Sequence, residues 1–595
     1  MSSTVEAANA REQLRTFHIA GRGLEDMQPG TALYPAILRE LGPMPPLESA
    51  YPVFVAPGQA PKPLAEILVE SAHAGAIVAA FRAAMRDRVL VAVAEVRDAA
   101  IRSLVVEVDL EDLGKRIPAE GWLIAFRAEA LPLLYAATLA ATRGKLRTVF
   151  FDQVKQCLAG IEALLALDDA HRSEFPTVEQ ISASLGWEAQ TFFKPSAMAE
   201  ALNRPGQKAR RMDPERRERC KRTLAILAAA LREHDLQPLF WLFHSGPAPS
   251  LISAFGGQCR QTADTCAAAL ELCNQQLERV VPLLKAMRVA RLEVESAFDP
   301  AVHTKLLERF EWQTADPEEL AALPAVVVME PADRLAQMSL TSFARLLRSG
   351  RPVQILVPSP GFYIEDLSGS VPDFGSLSIA HREAVVVQSS LARANHLLEC
   401  LVEVTRTLRP AVAVVSVPQT FESEPEAWLE TSLYVLSRTF PIYRYDPDRS
   451  PRRERFELFE AGPQFAQLTA AHAAALSKEL RCHFRVIPAS AWDDEQMEIG
   501  EYLAKYQLTA PLAIPYLWIT DEEGQPRRAV CTRELVNLCR DRSRAWEIFA
   551  ELAGVHETAA QQTDRTQYEK ARQEGAAHAI QLMLTMLAEP LALQD

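Results

Sequence analysis

The sequence lacks several patterns on which common enzyme and metal sites depend. No CxxC pair occurs among its nine cysteines, which excludes the usual cysteine spacings of zinc sites and ferredoxin-type iron–sulfur clusters. HExxH, GxSxG and Walker patterns are missing, and no GxGxxG follows a predicted strand. These absences argue against zinc metalloproteases, α/β-hydrolases, P-loop NTPases and dinucleotide-binding domains. Scattered cysteines without such spacing are typical of reduced thiols in the cytoplasm.

The chain also lacks a basic balance of charge and a long apolar run. Its formal charge is −14 and its sequence pI is about 5.5, which argues against binding to nucleic acid or anionic membranes. The longest apolar runs, such as residues 131–142, are too short to span a bilayer. Residues 1–17 are polar and mixed in charge, unlike a secretory signal. We expect a cytoplasmic protein that binds neither nucleic acid nor membrane.

The length of 595 residues is too great for one compact core, so we expect several domains. A Pro/Gly-punctuated, strongly charged stretch indicates a linker and helix at 206–235. Before it lies an N-terminal α/β region, residues 1–205, with no recognised motif or role. After it we predict an α/β domain at 236–455 and a C-terminal α+β extension at 456–595.

Four continuous apolar runs dominate the predicted α/β domain. Runs that are apolar on both faces are typical of a buried parallel sheet, and helical patterns separate them. The fold class that they indicate is α/β with a doubly wound parallel sheet, and Gly350 is placed to end one of the helices. The predicted strands are AVVVM (325–329), VQILV (353–357), AVVVQ (384–388) and AVAVVSV (411–417).

Other elements are predicted outside this domain. The apolar runs VLVAVAEV (89–96) and SLVVEVDL (103–110) predict two strands in the N-terminal region. Residues 511–536 indicate a hairpin with its turn at DEEG, followed by a helix. A last helix is predicted at 565–588.

Several strings, in this order, resemble the C-terminal thiamine-diphosphate domain of pyruvate:ferredoxin oxidoreductase. The resemblance covers roughly a third of the chain and implies a thiamine-diphosphate-domain fold. In that family a divalent cation holds thiamine diphosphate, and a cubane iron–sulfur cluster takes up electrons from 2-oxoacid oxidation. The strings are QPLFWLFHSG (237–246), ARLLRSGRPVQILV (344–357), DFGSLSIAHREAVVVQ (373–388), PAVAVVSVP (410–418) and FPIYRYDP (440–447).

The cation-binding positions implied by the resemblance have changed in this sequence. The family's Gly-Asp-Gly loop falls at Pro331, Ala332 and Asp333, and its Asn ligand falls at Glu365. Ala332 offers no ligand, Pro331 lacks an N–H, and Glu365 adds a negative charge. A shift of one residue would make Asp333 one ligand and Glu365 or Asp366 the other. The alternative interpretation is that these are ordinary polar residues at strand-to-helix turns, with Asp333 capping the following helix.

The cluster positions implied by the resemblance hold no thiols. The family's cysteines fall at Ala248, Leu251 and Gln419, so we expect no iron–sulfur cluster and no metal site at these positions. Three further cysteines, Cys259, Cys266 and Cys273, recur every seven residues. On one helix they would lie about 10 Å apart along the axis, which predicts a thiol-lined core seam and not a metal site.

Three hypotheses follow from these observations. The first is a degenerate thiamine-diphosphate-domain protein, a non-catalytic or weakly catalytic subunit or scaffold of a redox assembly with a protein partner. The second is an active thiamine-diphosphate-dependent oxidoreductase of 2-oxoacids, with Mg²⁺ held by the relocated ligands Asp333 and Glu365 or Asp366. The third is an anion-binding regulatory protein that uses the helix N-termini of the sheet. Whether the chain is an enzyme, and whether it forms a homo-oligomer, is left open.

Overall fold

The chain forms two compact units. Unit 1 contains Met1–Gly42, Tyr363–Ser368 and Ser432–Asp595, and unit 2 contains Pro43–Phe362 and Gly369–Thr431. The predicted division into four domains stays a prediction. The computed structural model describes residues 12–21, 33–39, 41, 46–106, 108–173, 178–185, 192–202, 212–232, 239–244, 256–361, 373–418, 423–451, 454–459, 465–477, 479–506, 513–521 and 523–555.

Strands and helices alternate along much of the chain. In chain order, the strands are β1 (Tyr34–Pro35), β2 (Val53–Val55), β3 (Lys62–Pro63), β4 (Leu90–Ala92), β5 (Trp122–Ile124), β6 (Leu239–Phe243), β7 (Gly257–Gln261), β8 (Ala325–Met329), β9 (Val353–Ser359), β10 (Val385–Ser390), β11 (Ala411–Ser416), β12 (Ile442–Tyr445), β13 (Phe456–Phe459), β14 (Phe484–Ile487), β15 (Gln496–Glu498), β16 (Ile514–Thr520) and β17 (Pro526–Cys531). The α-helices are α1 (12–20), α2 (Leu64–Ile67), α3 (Ala74–Met85), α4 (Val93–Ser103), α5 (Leu110–Arg116), α6 (Ala130–Ser173), α7 (Val178–Ser184), α8 (Pro195–Leu202), α9 (Pro214–Arg232), α10 (Thr265–Val294), α11 (Pro300–Glu308), α12 (Pro317–Ala321), α13 (Ala332–Arg334), α14 (Leu340–Arg348), α15 (Phe374–His381), α16 (Ala394–Arg406), α17 (Glu424–Leu436), α18 (Ala470–Leu476), α19 (Ile499–Lys505) and α20 (Arg533–Leu552).

A parallel sheet forms the centre of unit 2. Strands β7, β6, β8, β9, β11 and β10 lie side by side in this order, and every neighbouring pair is parallel. The four strands predicted from apolar runs are therefore confirmed, and so is the mixed α/β class. Successive residues such as Val327 and Val328 are both fully buried, because apolar groups cover both faces of the sheet. The helix predicted before Gly350 ends at Arg348, and Gly350 has a φ of 67° as predicted.

A second, smaller sheet of unit 2 corrects two predicted strands. Strand β4 ends at Ala92, and residues 93–96 begin helix α4, because Val93, Val96 and Ala100 have a helical spacing and are buried together. The strand predicted at 103–110 is wrong for its described residues, none of which is in a strand. Asp109 instead caps helix α5, and its carboxylate accepts the backbone N–H groups of Glu111 and Asp112.

Unit 1 contains a five-stranded sheet. Strand β16 pairs antiparallel with β17 through a tight turn, and helix α20 follows, which confirms the predicted hairpin and helix. Strands β1 and β14 extend the sheet at its two sides, and β15 pairs with β16 in parallel. Helix α1 contributes Leu14 and Phe17 to the core on this sheet. The helix predicted at 565–588 lies outside the described residues.

Helix α6 is the longest described helix, and its charged residues begin at Arg143. Its buried Arg143 donates from Nη2 to the carbonyl oxygen of Thr407 at 3.2 Å, which ties α6 to the segment after α16. Within the described ranges, no helix is both long enough and apolar enough to cross a membrane.

The buried sheet predicts that a substitution in its core lowers the stability of unit 2 more than a substitution at the surface does. Leu356 lies fully buried in β9, so Leu356→Ala is expected to lower the free energy of unfolding by about 2–5 kcal/mol through lost burial and a cavity. Val69 is 77% exposed, and Val69→Ala is expected to change it by less than about 0.5 kcal/mol. Urea unfolding followed by circular dichroism measures both. Equal effects of the two substitutions would contradict the buried position of β9.

Candidate functional site

The candidate site lies at the switch point of the parallel sheet in unit 2, where the strand order reverses. From β6 the chain passes to β7 on one side, whereas from β8 it passes to β9 on the other side. Strands β6 and β8 are direct neighbours, with Leu242 opposite Val328. Ligands of open α/β sheets bind at the carboxyl ends of the strands at such a point, because the loops diverge and leave a crevice. His244 follows β6 and Glu330 follows β8, so both lie at this edge.

Glu330 is a buried acid with one unused hydrogen-bonding atom. Its side chain is 3% exposed, and its Oε1 accepts the backbone N–H of His244. Its own backbone N–H donates to the carbonyl oxygen of Leu356 at 3.1 Å, which fixes the residue between β8 and β9. The other oxygen, Oε2, is buried and has no hydrogen-bond partner among the described residues. A buried acceptor without a donor destabilises the fold. Protonation of this oxygen, or a hydrogen bond from a ligand, would remove that destabilisation.

Burial also changes the protonation of this carboxyl. The pKa of Glu330 is raised to about 7, chiefly because burial disfavours the charged form. The hydrogen bond from His244 and the nearby Arg334 lower the pKa, and the negative charge of Asp333 raises it. Glu330 therefore exchanges a proton near neutral pH, as acid–base groups of enzymes do.

His244 contacts the acid through its backbone N–H, and its imidazole is a second polar group at this edge. Its Nδ1 is buried and has no hydrogen-bond partner among the residues that the structure describes. The carbonyl oxygen of His244 accepts from Nε2 of Gln261 at 2.7 Å, which joins the ends of β6 and β7. The edge therefore carries two buried polar atoms, at the ends of neighbouring strands, without a hydrogen-bond partner among the described residues.

The start of helix α10 forms the adjoining wall. Asp264 caps this helix by accepting the backbone N–H of Ala267 at 3.0 Å, and it accepts the hydroxyl of Ser342 at 2.6 Å. The pKa of the neighbouring Cys266 thiol is raised to about 12 by burial, with smaller contributions from the charges of Asp264 and Glu330. Cys266 is therefore an inert thiol at neutral pH and no candidate nucleophile.

The structure places one of the predicted cation ligands at this edge. Asp333 is half-buried in the first turn of α13, one turn beyond Glu330. The interpretation that Asp333 caps the helix is wrong, because Pro331 occupies the N-cap position and no side chain caps it. Ala332 is buried, and its methyl group has no ligand atom. The remaining predicted positions lie outside the described residues: Glu365, Asp366, Ala248, Leu251 and Gln419.

The cysteine seam is only partly as predicted. Cys266 and Cys273 lie buried on helix α10, in agreement with a thiol-lined core. Cys259 instead lies in strand β7 and is half-buried, because α10 begins only at Thr265. The three thiols therefore do not share one helix face.

The described part of the predicted cation site supplies one of its ligands. Of the family positions in the loop after β8, Asp333 alone carries a carboxylate, and Mg²⁺ is usually held by one or two carboxylates together with phosphate oxygens. Glu365 and Asp366 lie outside the described residues, so the relocated ligand set stays a prediction. A further carboxyl, Glu330, lies buried at the start of the same loop. Among the described residues, no group of three or more His, Cys, Asp or Glu side chains is arranged to hold a metal ion.

Sequence reasoning missed Glu330 and His244. The available signal was an ionisable residue directly after an entirely apolar run, since such a residue in a parallel sheet lies at the edge where ligands bind. Both residues have this position, in AVVVMEP and LFWLFHS.

Comparisons with known proteins add no family to this description. No protein-family model matches the chain, and no curated protein is significantly similar to it.

The raised pKa of Glu330 predicts a stability that depends on pH. In the unfolded chain a glutamate loses its proton near pH 4.5, but in the fold near pH 7, so stability is lost as the pH rises through this window. Glu330→Gln is neutral at every pH and is expected to be more stable than the natural protein at pH 8, by at most about 3 kcal/mol. At pH 4.5 the two should be nearly equal. Urea unfolding across this pH range gives the difference.

A matched substitution controls for loss of one surface charge. Glu120 is exposed in the same unit, and Glu120→Gln is expected to leave the shape of the stability curve unchanged. If Glu330→Gln is less stable than the natural protein at pH 8, the carboxyl of Glu330 is charged and stabilising there, against the expectation.

Proposed function

We propose that unit 2 contains a thiamine-diphosphate-type domain that has lost its cofactor site, and that the chain acts as a non-catalytic subunit or scaffold of a redox assembly. The relatives that we propose for it are the 2-oxoacid:ferredoxin oxidoreductases, whose strings the sequence resembles. The parallel sheet supports the proposal as far as the α/β class goes. Function depends on the site and not on the fold, so the residues of the loop after β8 are the main support for the proposal.

The loop after β8 is the observation that favours loss of the site. The position of the family's aspartate ligand holds Ala332, which is 6% exposed and has no oxygen to offer. The position of the first glycine holds Pro331, whose φ of −62° is fixed and which has no N–H for a phosphate. Both changes remove contacts that a cation–diphosphate pair needs.

The basic segment 449–455 is a surface on which the proposed protein partner could dock. Arg444 and Arg449 both pair with Glu457, at 3.3 and 3.4 Å, so part of their charge is already compensated. Arg455 donates from Nε to the carbonyl oxygen of Arg449 at 3.2 Å. These contacts compensate part of the charge of the described arginines in this part of the chain. The partner of the proposed assembly is therefore not assigned to this segment.

Calorimetric titration with thiamine diphosphate tests the loss of the site. We expect no cation-dependent binding when folded, purified protein is titrated with millimolar thiamine diphosphate and Mg²⁺, because the ligand at Ala332 is missing. A parallel titration uses EDTA in place of Mg²⁺, and it separates binding at a cation site from simple anion binding. Circular dichroism confirms that the protein is folded.

The same titration identifies the active alternative. Micromolar binding that requires Mg²⁺ and is abolished by Asp333→Ala would contradict the proposal and establish an active thiamine-diphosphate site with relocated ligands. Asp299→Ala serves as the matched control, since Asp299 is an exposed helix cap elsewhere in unit 2. It is expected to leave any binding unchanged.

A further inference from the structure

A cavity of about 1270 Å³ lies within unit 1 and has no part in the proposed function. Its walls come from helices α19 and α20, from the N-terminal turn of α18, and from the segment after α17. Small-molecule sites usually have volumes of about 300–1,000 Å³, so the cavity can hold a metabolite with water around it.

Arginines provide the charge in the interior of this cavity. Arg438, Arg540 and Arg542 line it and are half-buried. The Nε atoms of Arg438 and Arg540 are buried and have no hydrogen-bond partner among the described residues. Arg540 uses its Nη2 to donate to the carbonyl oxygen of Tyr506 at 2.7 Å, and its guanidinium lies 5.7 Å from the ring centroid of Tyr502. Because the Nε atoms are closed off from the cavity, an anion in the cavity would meet the terminal Nη groups of the guanidinium forks.

The carboxylates of the cavity do not cancel this charge. Glu498, the half-buried one, caps α19 and accepts the N–H groups of Gly500 and Glu501 at 2.6 and 3.1 Å. Two further carboxylates of the lining, Glu501 and Glu547, are exposed to solvent, and so is Arg544. Charges in contact with water are screened, whereas half-buried arginines are screened less. The interior therefore favours an anion.

Aromatic rings complete the lining. The guanidinium of Arg438 lies 4.8 Å from the ring centroid of Trp546, which is 7% exposed, and Trp518 lines another part of the wall. This contact restrains the guanidinium, as aromatic rings do for arginines in sites that bind anions. Such a wall also packs well against an apolar or aromatic ligand body.

The backbone at Arg438 has an unusual conformation. Its φ is 60°, just after the end of helix α17, where glycine is the usual residue because it has no Cβ. An arginine there keeps its side chain in the cavity at some cost in backbone strain. Arg382 has the same conformation, with φ of 65°, after helix α15, but its side chain is exposed. The pair offers a matched comparison.

We propose that this cavity binds a small anion that carries a phosphate or carboxylate group on a planar or apolar body. Arg438 and Arg540 donate to the oxyanion, and the body packs against the tryptophan wall. This site lies in unit 1 and needs no divalent cation, so it does not depend on the site proposed in unit 2.

Thermal unfolding with four probes tests the ligand class. The probes are AMP, benzoate, inorganic phosphate and adenosine, each at millimolar concentration in EDTA and at constant ionic strength. AMP or benzoate is expected to raise the unfolding temperature more than phosphate does, and adenosine, which has no charge, is expected to have no effect. AMP and benzoate distinguish a phosphate ligand from a carboxylate ligand. The proposal is wrong if no probe raises the temperature, or if adenosine acts as strongly as AMP.

Two arginine-to-glycine substitutions locate the site. Arg438→Gly removes the guanidinium but suits the positive φ, so the variant is expected to fold as the natural protein does. Its affinity for the best probe should fall at least tenfold, measured by calorimetry, whereas Arg382→Gly should bind unchanged. Equal affinity of Arg438→Gly and the natural protein would place the anion elsewhere and overturn the proposal.

Discussion

The hydrogen bond from the backbone N–H of His244 to the carboxyl of Glu330 joins the carboxyl ends of two neighbouring parallel strands. From β6 the chain continues to β7 on one side, and from β8 it continues to β9 on the other side. Apolar groups cover both faces of the sheet. The carboxyl therefore lies at the point where an open α/β sheet binds ligands, yet away from water. The raised pKa of Glu330 and part of the raised pKa of Cys266 follow from this one placement.

A parallel sheet imposes the location of a site but not its chemistry. Since all its strands end at the same edge, any ligand loops must be built there, and a substitution in one loop can remove a ligand without disturbing the strands. Ala332 and Pro331 are substitutions of this kind in the proposed relationship: they allow the turn from β8 into α13, but offer nothing to a cation or a phosphate. The proposed loss of catalysis thus needs no change in the core.

The sequence predicted the central strands because Val- and Ile-rich runs that are apolar on both faces have few other stable placements. The prediction of a strand at residues 93–96 was wrong, because this apolar run also has a helical spacing and forms the start of helix α4. The sequence does place Glu330 directly after an apolar strand, but its burial could not be predicted, because it depends on contacts with β6 and β9, which are distant in sequence. The cavity of unit 1 could not be predicted either, since the left-handed conformation of Arg438 and its contact with Trp546 arise only from tertiary packing.

The central claim is that the switch point in unit 2 holds a protonatable carboxyl and no thiamine-diphosphate site. A crystal structure of the protein grown with thiamine diphosphate and Mg²⁺ would test it most directly. The account predicts that the edge after β8 contains neither diphosphate nor cation, and that the carboxyl of Glu330 still accepts the N–H of His244. A diphosphate bound at this edge, with Asp333 on a bridging Mg²⁺, would contradict it.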